Sequence, residues 1–503
     1  MKREPKFWFL VTIMALCMFM PAVSATAQAL APVTLKIIAC GPPQKDVQLV
    51  NDALTAYVKP KFNATVVLEQ YDWDAWNDKA NLIIASGEEA DLMFTAPWCG
   101  FTTNAPKGAF LDMSDLVQKY GKGILNSSYK WIVDVGRMNG KLYAIPAYQL
   151  LAQSRGFFLR KDLLDKYGPS VNFKVKGRYS GGSVKDVFNP EDLEPLLKVI
   201  KQNEPEIIPY YGIPSKLLSW LGPWDRQGQF EVTTINVYDK VPKYINFYDT
   251  DYYRKSMDIA RKWFVEGLTN QDIATTKEDA TEQMKAGKTF CYSQEAQYLS
   301  EEVGSRQYGY ELVNLNVIKP IISTSLVQGA MWAIPRQAKD PARSMMLLNL
   351  MHTDRTVANL LVYGVEGKHY VKKGGNVIAF TPANDPANAL YYNQVWEFGN
   401  QALLFDLDVD PPNGAKRLED FNTLAIRNSA LGFTYDATNM KNEIGVLTNI
   451  AAEFDPQISS GTVDARADGT YAKFLAKLKA GGIDKLLADQ NAQLNAWLKA
   501  NKK

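Results

Sequence analysis

VTLKIIAC (33–40), ATVVLEQ (64–70) and ADLMFTA (90–96) are three short apolar runs, bounded by turn-forming residues. Between the first two, GPP (41–43) breaks the strand, and Val47, Val50, Leu54 and Val58 then recur at helical spacing. Between the second and third, Asp72 is placed to cap a helix with the apolar face Trp76, Ala80, Ile83 and Ile84, which Gly87 ends. Strand, helix, strand, helix, strand in this order predicts a parallel sheet covered by helices, an α/β fold. In such sheets ligands sit beyond the C-terminal ends of the strands. The loops 41–44, 70–72 and 97–104 therefore predict one wall of a cleft, with Trp98 in the third loop.

Working outward, Asn139-Gly140 is a turn signal before the strand KLYAIPAYQ (141–149). Residues 157–200 read as helical, interrupted by RYSGGS (178–183), and a tryptophan-rich loop follows, SWLGPWDRQGQF (219–230). Helical patterns return at 251–266 and 278–286, strands at GKTFCYS (287–293) and AMWAIP (330–335), and a helix from Pro341 to His352. In the last helix, IDKLLADQNAQLNAWLK (483–499), Leu487, Leu494, Trp497 and Leu498 share one face, which reads as packing against its own domain.

The first residues read as a secretory leader. Three cations stand in MKREPK (1–6), FWFLVTIMALCMFM (7–20) is apolar, and small residues offer cleavage after Ala25, Ala27 or Ala29. Cys17 sits inside the apolar run behind Leu16, a poor context for a lipidated cysteine, so a soluble product is expected. The product would be exported, extracellular or periplasmic, and at most loosely associated with the outer face of the cytoplasmic membrane. Removing 1–29 takes away three cations and one anion and leaves a formally neutral chain, with no field for nucleic acid. The remainder is too long for one core, so two or three domains are expected.

Known chemistries fit poorly. Beyond the leader only His352 and His369 occur, with no HExxH or CxxC, so no metal site is expected. FDLDVDPPNG (405–414) begins like a calcium loop, but Pro411 replaces the turn glycine and Arg417 stands where the closing glutamate belongs; a solvated turn is the better reading, with weak calcium binding left open. There is no GxSxG elbow, and Gly287-Lys288-Thr289 lacks the first glycine of a P-loop, where Glu282 stands. No cofactor is expected. Loop and strand-end aromatics remain: Trp98, Tyr148, Trp220, Trp224 and Trp332. Aromatic faces stack on sugar rings, although each of these side chains is equally at home in a core. Cys40 follows the first strand and Cys99 the third, so either a disulfide or two free thiols fits; Cys291 reads as a buried strand residue.

QKDVQLVNDAL (44–54), ASGEEADLMFTAPW (85–98), APKGAFLDMSDLVQKYG (105–121) and NGKLYAIP (139–146) carry a family resemblance. GAMWAIP (329–335), YGVEGKHY (363–370), KNEIGVL (441–447) and AGGIDKLLADQNAQL (480–494) extend it over the whole mature chain. The chain resembles extracytoplasmic solute-binding proteins of ABC importers, family 1, in the carbohydrate-uptake branch. The closest likeness is to a lipoprotein-type subgroup with an extra C-terminal domain of unknown function. The resemblance implies a two-lobed periplasmic-binding-protein-like fold of type II, with hinge-linked lobes and a ligand cleft between them. It implies a first lobe of 30–150 plus 315–355 and a second of 151–314 plus 356–503, with crossings near 146–155, 310–320 and 352–360. It places Trp98, Tyr148, Gln149, Trp220, Trp224, Gln294, Glu295 and Trp332 at the ligand. The implied function is capture of an oligosaccharide by a monomeric, non-enzymatic protein that delivers it to ABC importer permease subunits. The same scaffold binding a peptide or other polar solute, and a secreted glycan-active enzyme, are the alternatives. Members of the subgroup usually carry an N-terminal lipid-bearing cysteine, and this sequence departs from them there.

Overall fold

The computed structural model describes residues 30–180, 183–214, 217–226, 232–385 and 389–502. The expected leader and part of the tryptophan-rich loop, 227–230, lie outside the described residues. β1 (Val33–Cys40), α1 (Val47–Phe62), β2 (Ala64–Tyr71), α2 (Trp73–Ser86) and β3 (Leu92–Thr95) follow the predicted order. α1 turns Val50, Leu54 and Val58 into the core, and Asn63 ends it in the left-handed region at φ 47°. At the start of α2 the Asp72 carboxylate accepts the Trp73 N–H at 2.8 Å, and Gly87 closes the helix at φ 71°.

β2, β1 and β3 lie side by side and parallel. Met331–Ala333 pairs antiparallel with β3, and Ile145–Pro146 pairs antiparallel with Met331–Ala333, so later segments complete the five-stranded sheet of the first lobe. The sheet of the second lobe runs Ile208–Tyr211, Thr289–Ala296, Ser154–Arg160, Leu312–Asn316. One of its two inner strands, SRGFFLR (154–160), runs into the stretch 157–200 expected to be helical. Every residue of it is buried, so it lacks the apolar/polar alternation that marks a half-exposed strand.

A third unit is built on the second lobe. Helices Lys441–Ser459, Thr470–Ala480 and Ile483–Ala500 share a core with the small sheet around Thr233–Asn236. The helix Asp251–Val265 joins this unit to the second lobe. Its Tyr253 and Met257 lie in the helical core, while Ala260 and Trp263 lie in the core of the second-lobe sheet.

The expected lobe boundaries need correction. Residues 356–405 do not belong with the second lobe: Val357, Leu361, Tyr391, Phe398 and Leu404 are packed into the core of the first sheet. The third crossing therefore lies after residue 405 and not near 352–360. The first crossing runs between Ile145–Pro146 and Ser154–Arg160, and the second between Leu312–Asn316 and Met331–Ala333, later than the expected 310–320, because 312–316 are still a strand of the second-lobe sheet.

The three crossing segments run beside one another. Gln153 and Ile321 exchange backbone hydrogen bonds at 3.0 and 2.9 Å, and Ile322 N–H donates to Ile426 O at 2.9 Å while Ile426 N–H donates to Pro320 O at 2.8 Å. Buried Asn422 locks the first segment: its carbonyl accepts Leu151 N–H and Ala152 N–H at 2.8 and 2.9 Å, and its amide donates to Gln149 O at 2.8 Å. Asn422→Ala would orphan two buried donors and an acceptor. It should cost about 2–4 kcal/mol of stability, read as a lower urea midpoint; an unchanged midpoint would contradict this role.

Candidate ligand-binding site

The C-terminal ends of β1, β2 and β3 carry a tryptophan platform. Trp73, the first residue of α2, stacks on Trp396 with ring centres 5.9 Å apart and planes at 29°, and lies 6.2 Å from Trp98. Phe94 of β3 supports Trp98 and Trp396 from below, at 5.7 and 6.2 Å. The platform is held by polar contacts as well as packing. The Trp98 indole N–H donates to Gly329 O at 2.9 Å, so its orientation depends on the segment that crosses between the lobes. Gly41 takes φ 135°, where a side chain would be strained, and the Trp73 ring lies over it. Beside the platform the Gln70 amide donates to Asn393 Oδ1 at 3.0 Å.

Glu397 fixes the loop that carries Trp396. It is buried, its side-chain oxygen accepts the Cys40 N–H at 3.1 Å, and its backbone carbonyl accepts the Trp332 indole N–H at 2.8 Å. Burial pushes its carboxyl well above the usual carboxylate range, against the smaller opposing effect of the Cys40 N–H. Burial thus favours the protonated form of the group, which acts as a hydrogen-bonding tie.

The expected site residues divide into two groups. Trp98 is half-buried in the platform, and the Gln149 amide approaches Gly329 next to it. Gln294 and Glu295 are half-buried at the end of the Thr289–Ala296 strand and line a small cavity of about 140 Å³ in the second lobe. The others serve packing. Trp332 is fully buried in the centre of the first sheet, edge-on to Phe94 at 5.9 Å. Trp224 is 4% exposed, edge-on to Phe247 and Tyr252, and belongs to the core of the helical unit. Tyr148 stacks flat on Tyr129 at 4.3 Å in the core around the crossing segments. Trp220 is half-buried, with the Arg155 guanidinium 4.7 Å from its ring centre. Arg155 is buried and donates to the carbonyls of Trp220, Gly222 and Trp224; burial lowers its pKa to about 10.

Trp73 and Trp396 complete the platform and were not among the expected site residues. Trp73 could have been found from its place directly after the β2 loop. Trp396 has no such local signal, because it comes from the segment assigned to the other lobe.

Cys40 and Cys99 are both buried and unbonded, so the structure takes the free-thiol reading over the disulfide. The ends of β1 and β3 are neighbours as expected, but burial keeps both as neutral thiols, with their pKa values raised. Cys291 is a buried free thiol too. Two of the three carboxylates in the acidic loop at 406–410 are used in structure: Asp406 accepts Gly414 N–H at 3.0 Å and Asp410 pairs with Arg306 at 2.6 Å, while Asp408 is exposed. Among the described residues no group of three or more His, Cys, Asp or Glu is placed to hold a metal, and no helix is long and apolar enough to cross a membrane.

A bacterial extracellular solute-binding protein family matches residues 52–364, well over half of the chain. The chain belongs to that family. A domain of unknown function, DUF3502, matches residues 429–499 of this solute-binding protein, which are the helices of the third unit. A carbohydrate ABC transporter substrate-binding protein of Streptococcus pneumoniae serotype 4 (strain ATCC BAA-334 / TIGR4) is 28% identical over 465 residues, covering 89% of this chain and 87% of that one. Among solved structures, the N-glycan transport solute binding protein NgtS of Streptococcus pneumoniae superposes with a TM-score of 0.80 at 25% identity, covering 94% of this chain and 100% of that one. Further NgtS structures are complexes with Man1GlcNAc and Man5GlcNAc. A solute-binding protein that binds HMO, from Bifidobacterium longum infantis ATCC 15697, shares the fold at a TM-score of 0.63 and 14% identity, covering 93% of this chain and 99% of that one. The two-lobed fold is common to these proteins.

Two outcomes follow for this site. The unfolded-state carboxyl of Glu397 ionises above about pH 4.3, and burial raises the folded value above that, so its contribution is full below the unfolded value and falls as pH rises towards the folded one. Glu397→Gln keeps an acceptor for Cys40 N–H and does not titrate, so its stability advantage over the wild type should be larger at pH 8 than at pH 5; a pH-independent gap would show that the carboxyl is ionised in the fold. For the thiols, alkylation followed by mass spectrometry should leave Cys40, Cys99 and Cys291 unmodified in native protein and modify all three after denaturation without reductant. A Cys40–Cys99 pair that reacts only after reduction would contradict the free-thiol state.

Proposed function

We propose that this solute-binding protein captures an oligosaccharide between its two lobes and delivers it, without turnover, to the permease subunits of an ABC importer. The observation that carries the reading is the platform of Trp73, Trp98 and Trp396 at the C-terminal ends of β1, β2 and β3. Flat indole faces bury the C–H surface of sugar rings, and neighbouring amides pair with the hydroxyls. Gln70 supplies such an amide on the first lobe and Gln149 on the first crossing segment, and Gln294 and Glu295, at a strand end of the second lobe, would form the opposing wall on closure. The likeness to carbohydrate-binding relatives supports the same class of ligand. Closure about the three crossing segments would bring the walls together around the sugar. Residues 1–29 act as a cleaved leader, and the exported protein works as a monomer.

A thermal-shift screen against neutral oligosaccharides and peptides tests this. A ligand at about 100 times its dissociation constant adds about 2.7 kcal/mol, and the shift should come from sugars. Trp73→Ala, at a site 36% exposed, should leave the melting temperature of the free protein nearly unchanged and weaken sugar binding tenfold or more, by about 1.4 kcal/mol. Trp332→Ala should instead destabilise the protein by about 3–5 kcal/mol, as the loss of a core side chain does. Shifts from peptides alone, or release of new reducing ends from a bound glycan, would overturn the proposal.

A further inference from the structure

A cavity of about 1000 Å³ lies apart from the platform, lined by none of Trp73, Trp98 and Trp396. One wall is the 131–140 segment of the first lobe; the other is the 427–439 segment and the end of the Ile483–Ala500 helix, both in the unit built on the second lobe. Its size matches small-molecule sites, at about 300–1,000 Å³. Trp131, Phe433 and Trp497 give it aromatic faces.

The charges along this groove are engaged within the protein. Arg137 pairs with Asp134 at 2.8 Å. Asp436 accepts Asn139 Nδ2 at 2.9 Å and Thr438 N–H at 3.0 Å. The Arg427 guanidinium lies 4.3 Å from the Trp131 ring centre and donates to Asn422 O at 3.1 Å. With its two cations and two carboxylates already engaged by neighbouring groups, the groove offers aromatic faces and amide dipoles to an incoming molecule. That combination suits a neutral, hydroxyl-rich ligand with apolar ring faces.

The two walls also belong to bodies joined by the crossing segments. Gln328, on the second segment, donates its amide to Val135 O at 2.8 Å and to Thr434 Oγ1 at 2.7 Å, one on each side. The Asn139–Asp436 hydrogen bond spans the same gap. Bending at the crossings must change the separation of the walls, so a ligand held between them favours one lobe arrangement over another.

We propose that this groove is a second binding site, for a neutral carbohydrate, whose occupancy is linked to closure of the main cleft. Only the linkage rests on the capture reading above. Ala496 lies on the exposed face of the last helix and lines the groove, so Ala496→Trp occludes the groove without entering a core. Neutral tetrasaccharides of glucose, mannose and N-acetylglucosamine are titrated by calorimetry into the wild type, Ala496→Trp and Trp73→Ala. The expected result is that one of these sugars binds wild type at two sites per chain, that Trp73→Ala retains the groove site alone, and that Ala496→Trp retains the cleft site alone. The wild-type isotherm should depart from the sum of the two variants by about fivefold or more in affinity. Absence of any site in Trp73→Ala, or a site there that survives in the double variant, overturns the groove. An isotherm equal to the sum overturns the linkage. A groove site in Trp73→Ala with no binding to Ala496→Trp would count against the cleft reading and leave the groove standing.

Discussion

Three backbone segments hydrogen-bonded side by side hold this molecule together. Gln153, Ile321 and Ile426 form a narrow ladder, and Asn422 ties its first segment at three points. Each lobe is assembled from stretches far apart in the chain, so the sheets exist in their observed order only if these crossings are in register. The ladder is short and carries few side chains into either core. That allows bending there while both sheets stay rigid, which is the mechanical requirement for a cleft that opens and closes.

The platform inherits its geometry from the same constraint. Trp98 is oriented by the carbonyl of Gly329, and Trp396 by a loop tied to β1 through Glu397. Trp98 and the loop carrying Trp396 are each fixed by hydrogen bonds involving the backbone, not by an ion pair. A ligand surface built this way should be insensitive to salt.

Much of the first lobe was legible in the sequence because its signals are local. The apolar runs, the Asp72 cap and the Gly87 stop sit within a few residues of the elements they define, and β1, α1, β2, α2 and β3 appear where they point. SRGFFLR was misread because a strand buried on both faces has no period of two to distinguish it from a buried helix. Residues 356–405 were assigned to the wrong lobe because lobe membership is a matter of packing, here against the first sheet. The site was legible in part. Trp98 lies in a loop that the strand order alone brings to the cleft. Trp224 and Trp332 look equally available, and only their neighbours show them to be core. Trp396 could be found only once the later segment was folded back onto β1.

Small-angle X-ray scattering of the protein with and without a saturating neutral oligosaccharide tests the central claim, capture by lobe closure, most directly. The account predicts a smaller radius of gyration when the sugar is bound, absent in protein whose platform has lost Trp73. An unchanged radius of gyration at saturating sugar would contradict closure of the two lobes about the three crossing segments.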